Sequence, residues 1–164
     1  MFIKNNKGFS LAEVLMGIAI ISILVAISVP GIGKRMNRER LRREARDLAA
    51  DLNVAKHFAI SNNRRYMITV TLNSNPTLDT YNRYYDDGSS WVQDSKTFEK
   101  SLYDSVDISS PTTTFNIIFR PNSTAVFANQ VICMQSLDSS SGSMQIKVSA
   151  ITGNIELVSG CPGP

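Results

Sequence analysis

An α+β fold is predicted: a long N-terminal α-helix, membrane-spanning in its first half and amphipathic in its second, packed on a mostly antiparallel β-sheet domain. Three observations predict it. From Val14 to Val29 the chain reads VLMGIAIISILVAISV, without a charged residue. From Leu41 to Ala59 apolar residues recur at helical spacing. Past Arg65 the period changes to alternation, in short runs broken by Ser- and Gly-rich loops.

The apolar segment comes first. Counting from Phe9, 21 residues precede Pro30, and as a helix they reach ~31 Å, about one hydrocarbon thickness. A buried helix of a soluble domain would keep a polar face, and this segment has none. A membrane span is the better reading. An ordinary secretory signal is not, because no small-residue cleavage site follows Val29. Glu13 lies inside the segment, where a carboxylate costs ~2.5 kcal/mol or more near the bilayer centre. Such a group calls for a partner.

The run KGFSLAEVLMGIAIISILVAISVP resembles the amino terminus of prepilins: a short basic leader ending in Gly, then Phe, Ser/Thr, Leu, any residue and Glu, then an apolar helix with a late Pro. Lys7 and Gly8 close the leader, Phe9 begins the mature chain, Glu13 is its fifth residue, and Pro30 stands at the helix break. The resemblance implies cleavage between Gly8 and Phe9 by prepilin peptidase, followed by N-methylation of Phe9.

Physical chemistry supplies a role for Glu13. The cut creates an amine near the membrane surface. In a filament, Glu13 of one subunit would neutralise the Phe9 amine of its neighbour and fix the axial register. Burying the pair is tolerable, whereas burying either charge alone is strongly unfavourable. A plain positive-inside count points the other way, because the seven bases between Lys34 and Arg46 outnumber Lys4 and Lys7. The leader motif, which needs a cytoplasmic peptidase, places the far side of the span outside the cytoplasm.

Leu41, Ala45, Leu48, Leu52, Ala55 and Ala59 are spaced 4, 3, 4, 3 and 4 apart, a narrow apolar stripe. Asn62 and Asn63 end this helix, which would run ~80 Å from Phe9 with a break at Pro30-Gly31. Residues 34–65 hold ten Lys/Arg against four Asp/Glu, net +6, and the chain from Tyr66 onward is net −4. The basic character therefore belongs to one helical stretch. A nucleic-acid patch would need aromatics or a fold presenting it outward, and neither is evident. A solvated flank touching lipid headgroups or acidic neighbours is the preferred reading.

In the β-rich half, Tyr66, Ile68, Val70 and Leu72 share one face of a strand, and 73–76 turn the chain. Tyr81, Arg83 and Tyr85 form a second strand, ended by Asp86-Asp87-Gly88, and Phe115, Ile117 and Phe119 a third before Pro121. Val131–Met134, Met144–Val148 and Ile155–Val158 follow, the last two joined by Ile151-Thr152-Gly153-Asn154. The sheet should lie against the apolar stripe. This half resembles the GspH/FimT family, on the helix end AKHFAISNNRRYMITV, the Phe119-Arg120-Pro121 motif and the closing hairpin MQIKVSAITGNIEL. Asn122 stands where a Gly usually follows Phe-x-Pro in that family.

Cys133 and Cys161 are the two cysteines. Taken alone they are as well read as free thiols as a disulfide. Export to an oxidising compartment, which the prepilin resemblance implies, favours the bond.

No catalytic constellation is evident, so an enzyme is not expected. His57, the one histidine, has no partners for a triad. Asp86, Asp87 and Asp94 lack the alternating spacing of a calcium loop, and a turn is preferred; neither a metal nor a cofactor is expected. Asn122-Ser123-Thr124 matches a glycosylation sequon and is read as a loop. Trp91, Tyr84 and Tyr85 are read as core rather than as a contact patch.

These readings divide the chain into a leader at 1–8, a transmembrane and filament-core helix at 9–30, an amphipathic helix at 31–63 and a β-rich globular domain at 64–164. They imply a minor pilin or pseudopilin of a type IV pilus or type II secretion pseudopilus. It would sit in a bacterial inner membrane by a single pass, with its C-terminal domain in the periplasm or exterior. The implied partners are prepilin peptidase, other major and minor pilins or pseudopilins, the inner-membrane assembly platform and membrane lipid. The alternative is a DNA-uptake pilin; nucleic acid is not the expected partner, because the chain ends VSGCPGP with Lys147 its last base.

Overall fold

The computed structural model describes residues 9–28, 32–73, 78–94, 99–103, 105–127, 130–137 and 142–161. The chain forms two compact units, Met1–Gly33 and Lys34–Pro164.

In the first unit, α1 runs Leu11–Ser28. Ser10 caps it: its hydroxyl accepts from the Glu13 amide at 3.2 Å, and its carbonyl accepts from the amides of Glu13 and Val14. Ser10 and Glu13 thus occupy the two ends of an S-x-x-E box. Pro30, the expected helix break, lies outside the described residues, as does Gly8.

In the second unit, α2 (Ile32–Ser61) supplies the spine. Leu41, Ala45, Leu48, Leu52, Ala55 and Ala59 are each at most 1% exposed, so the stripe is the helix's buried face. Alanine at three of the six lets the β-layer approach the helix backbone closely. The helix ends in a Schellman motif: Arg64 N–H donates to the Ala59 carbonyl and Asn63 N–H to that of Ile60, with Asn63 in the left-handed region at φ 50°. Asparagine tolerates that conformation better than most residues, which is why the Asn62-Asn63 pair marks the end.

Ten strands follow: β1 Tyr66–Thr71, β2 Thr80–Asp86, β3 Trp91–Gln93, β4 Glu99–Ser101, β5 Val106–Ser110, β6 Phe115–Phe119, β7 Ala125–Val126, β8 Val131–Ser136, β9 Ser143–Val148 and β10 Ile155–Ser159. They make two antiparallel sheets where one was expected. The first has the order β3-β2-β1-β6-β7, with β4 also on β2; the second is β10-β9-β8-β5. The division follows from β5, which lies between β4 and β6 in sequence but pairs with β8. Only Val106 and Ile108 mark it as a strand, and its register shifts between Ile108 and Ser110, so the alternation there is too short to read. β3, β4 and β7 escape for the same reason, being two or three residues long.

Alternate residues face a common core. In the first sheet Ile68 lies between Ile117 and Arg83, Val70 opposite Tyr81, and Tyr66 between Tyr85 and Phe119. In the second Ile132 pairs with Ile146. These side chains and the α2 stripe form one hydrophobic cluster. Leu72, expected on the β1 face, falls just past the strand and packs at the cluster's margin.

Candidate functional site

α1 is the first functional surface. Phe9 is 83% exposed, and Leu11, Val14, Leu15, Met16, Ile18, Ile20, Ile21, Ile23, Leu24 and Val25 are all exposed. Apolar side chains surround the helix, so it has no face suited to water. Glu13, also exposed, is its one acid and stands in the first turn, where the free N–H groups favour an anion. The sequence signal for this cap was the S-x-x-E spacing of Ser10 and Glu13. At 18 residues α1 is ~27 Å long, and among the described residues no helix is long and apolar enough to cross a membrane. The expected span, 9–30, runs past the described residues at Ser28.

The solvent side of α2 changes character along its length. Arg35, Arg38, Glu39, Arg43 and Arg46 are exposed in the first half; past Asp47, Ala50, Asn53, Val54, His57, Ile60 and Ser61 are exposed in the second, none of them acidic or a lysine or arginine. His57 stands 6.4 Å from the Phe58 ring, centroid to centroid, with no third member of a catalytic set.

The flank of α2 turned toward β2 and β4 carries acids that spacing alone did not single out. The Asp51 carboxylate accepts from the Tyr81 hydroxyl at 2.8 Å and from the Lys100 ammonium at 2.5 Å. Burial raises the Tyr81 pKa, and the neighbouring Asp51, Glu44 and Asp47 add to the rise. Glu44, also buried, has its carboxyl pushed above the ordinary glutamate range by desolvation first and the Asp47 charge second; Lys100 and Arg43 pull it back. Arg83 lies over the Phe58 ring at 5.0 Å and pairs with Asp94 at 2.5 Å. Asp79 accepts from the amides of Asn73 and Ile108, tying the first sheet to β5. Asp51, Tyr81, Asp79 and Arg83 are satisfied internally, as most buried polar groups are.

Asp86-Asp87-Gly88 is a closed turn. Asp87 accepts from the amides of Ser89 and Ser90, which hold its carboxyl down at about 2. Asp86 accepts from Gly88 N–H and pairs with Arg65; both contacts lower its pKa. No group of residues among those described could hold a metal ion. Trp91 is half-buried on the edge strand β3, under the Arg65 guanidinium at 5.6 Å, and Tyr84 is half-buried too, so the expectation of core is not met for these two, whereas half-buried Tyr85 packs against the core cluster. A strand of three residues at a sheet edge has no second layer to cover it.

The two motifs that carried the second resemblance meet in space. Gly153, buried in the turn between β9 and β10 at φ 57°, lies so close to the loop after Phe119-Arg120-Pro121 that a Cβ would overlap the Ser123 carbonyl oxygen. Lys56 of α2 donates to the neighbouring Thr152 carbonyl at 3.0 Å. The sequon forms a turn, with the Thr124 hydroxyl donating to the Asn122 side-chain oxygen at 2.7 Å. Beyond β10 the chain crosses β9, where Cys161 N–H donates to the Ser143 hydroxyl, and Cys161 joins Cys133 of β8 in a disulfide with Cα atoms 5.8 Å apart.

Comparison with known proteins gives two findings and one blank. Residues 3–29 match the prokaryotic N-terminal methylation motif. The fold resembles the Pseudomonas aeruginosa type IV minor pilin FimU, with a TM-score of 0.51 at 18% identity over 72% of this chain and 92% of that one. It also resembles the Vibrio cholerae type 2 secretion minor pseudopilin EpsH, with a TM-score of 0.54 at 10% identity over 73% of this chain and 97% of that one. No curated protein sequence matches. The chain thus carries a prokaryotic N-terminal methylation motif at its amino end and, beyond it, a globular domain with the fold of minor pilins and pseudopilins.

Proposed function

We propose that the chain is a minor pilin or pseudopilin subunit, cut by prepilin peptidase between Gly8 and Phe9, N-methylated on Phe9 and assembled through α1. The observation that carries this is α1 itself: apolar on every side, its described large apolar side chains all exposed, with one acid in its first turn. Such a helix needs lipid before assembly and neighbouring helices after it. In this reading 1–8 is the leader and 9–30 the single membrane pass, with the amphipathic helix over 31–63 and the globular domain over 64–164 lying on the far side of a bacterial inner membrane. Glu13 pairs with the Phe9 amine of a neighbouring subunit. The globular domain selects its neighbours, other pilins or pseudopilins on an inner-membrane assembly platform, and its work is mechanical. Nothing in the geometry favours DNA uptake.

The test is processing. Co-expressed with prepilin peptidase, the wild-type chain is expected to shift to the mature mobility and to yield N-methylated Phe9 in mass spectrometry. Gly8→Val is expected to remain a precursor, because a side chain there blocks entry of the scissile bond. A normally processed Gly8→Val protein would falsify the assignment.

A further inference from the structure

We infer that the amino-terminal half of α2 is a seat for anionic phospholipid headgroups, held by Arg35, Arg38, Arg42, Arg43 and Arg46. The inference rests on the reading of α1 as a membrane segment. At ~100° per residue these five arginines share one arc of about 140° on the helix, and its Arg38 edge borders the buried stripe of Leu41, Ala45 and Leu48. The first two follow the end of α1 by no more than ten residues, so the charge begins where an apolar segment gives way to polar surroundings. Glu39 is the one acid on the arc, and it pairs with Arg42 at 3.0 Å. Arg40, off the arc, is occupied by the Tyr103 ring at 5.8 Å. Arg35, Arg38, Arg43 and Arg46 have no ion pair among the described residues.

A place for the phosphate is present. Arg38, Leu41 and Arg42 form one wall of a groove of about 520 Å³ whose other wall includes Gly142, Ser143 and Ser159. Two guanidinium groups beside hydroxyls offer the forked donors that a phosphate diester accepts.

The competing occupant is the acidic domain of a second copy, and the carboxylates argue against it. Asp51 is held by Tyr81 and Lys100, Asp79 by backbone amides, Asp86 by Arg65, Asp87 by Ser89 and Ser90, and Asp94 by Arg83. Of the nine acids past Tyr66 these four domain carboxylates, Asp79, Asp86, Asp87 and Asp94, are held internally, which leaves a second copy scattered acids such as Glu156 rather than a cluster to set against five arginines. A surface rich in phosphate does.

The full-length chain in detergent micelles, carrying a fluorophore on Met36→Cys beside the arc, tests this. It is titrated with short-chain phosphatidylglycerol, with phosphatidylcholine of the same chain length, with inorganic phosphate and with unlabelled chain. The expected result is a saturable response to phosphatidylglycerol alone, weakened by added salt. Replacing Arg38 and Arg42 together by Gln should weaken it about 25-fold, ~5-fold for each arginine. The double Lys variant should retain most of it, and Arg64→Gln, beyond the far end of α2, should leave it unchanged. Equal responses to the two lipids, a response to inorganic phosphate as strong as to lipid, a response to unlabelled chain instead, or indifference to the Gln variant would each overturn the inference. Processing by prepilin peptidase is followed in parallel. Normal processing without lipid selectivity removes the headgroup seat alone, whereas a chain that is not processed removes the reading beneath it.

Discussion

Glu13 and Gly153 are constrained in opposite ways, one by a missing neighbour and one by a neighbour too near. Glu13 is exposed on an apolar helix, with no cation paired to it among the described residues. Glu13→Ala removes the cost of placing a carboxylate in lipid, ~2.5 kcal/mol or more, so membrane insertion and cleavage should be unimpaired. Cross-linking to partner pilins should be lost, because the neighbour's Phe9 amine is left buried and unpaired; wild-type cross-linking would show that Glu13 does not set the register. At Gly153 both space and backbone forbid a side chain. Gly153→Ala should lower stability by about 2–4 kcal/mol, from overlap with the Ser123 carbonyl and the left-handed backbone. Gly142→Ala, at φ 90° but in open space, should cost only about 1 kcal/mol. Guanidinium unfolding of the three proteins side by side measures the difference. The T-G-N turn was legible in the sequence, but its closeness to the Ser123 loop was not, since no local pattern records which loop a turn will meet.

Among the elements, α2 is the one that local pattern described best. Its 4-3-4-3-4 stripe is the set of apolar residues that is buried, and its end at Asn62-Asn63 follows from the tolerance of Asn for a left-handed backbone. Its flank was opaque. Asp51, Tyr81 and Lys100 belong to three elements, so nothing in the sequence brings them together. On the same flank Glu44 makes a pH prediction. Its folded pKa is raised above the ordinary 4.5, so its contribution is fully present below that value and is lost as pH rises through the raised one. Above the ordinary value the side chain therefore opposes folding, because its charged form is the one that burial disfavours. Glu44→Gln should therefore raise the melting temperature at pH 7 and lose that advantage as the pH falls below 4.5. An advantage that persists in acid would show that packing rather than charge is responsible. The strands were legible in proportion to their length. β1, β2, β6, β8, β9 and β10 have five or more residues, whereas β3, β4 and β7 have three or fewer. Missing β5, with its irregular register, turned two sheets into one.

Over the whole molecule, a helix end, two loops and one covalent bond close the second unit. The disulfide joins residues 28 apart and in the chain-entropy model contributes about 3–4 kcal/mol. Reduction of the full-length chain should lower its unfolding midpoint accordingly, and a Cys133→Ser, Cys161→Ser double variant should match the reduced protein. An unchanged midpoint would mean that the strand ladder alone holds the chain end. The bond also decides how the domain responds to tension. β10 is an edge strand held to β9 alone. Pulled from the carboxyl side, an edge strand peels one pair at a time, at low load. Cys161 lies beyond the last pair, Ser159 with Met144, and is bonded across β9 to β8. The pull therefore bypasses β10 and enters the sheet at Cys133, inside β8, where neighbours on both sides must be sheared together. The slack that β9 and β10 could release, ~95 Å at ~3.4 Å for each of the 28 residues, stays locked until a sulfur bond breaks. In the proposed role, as a subunit of a fibre under load, this separates a domain that stretches from one that does not.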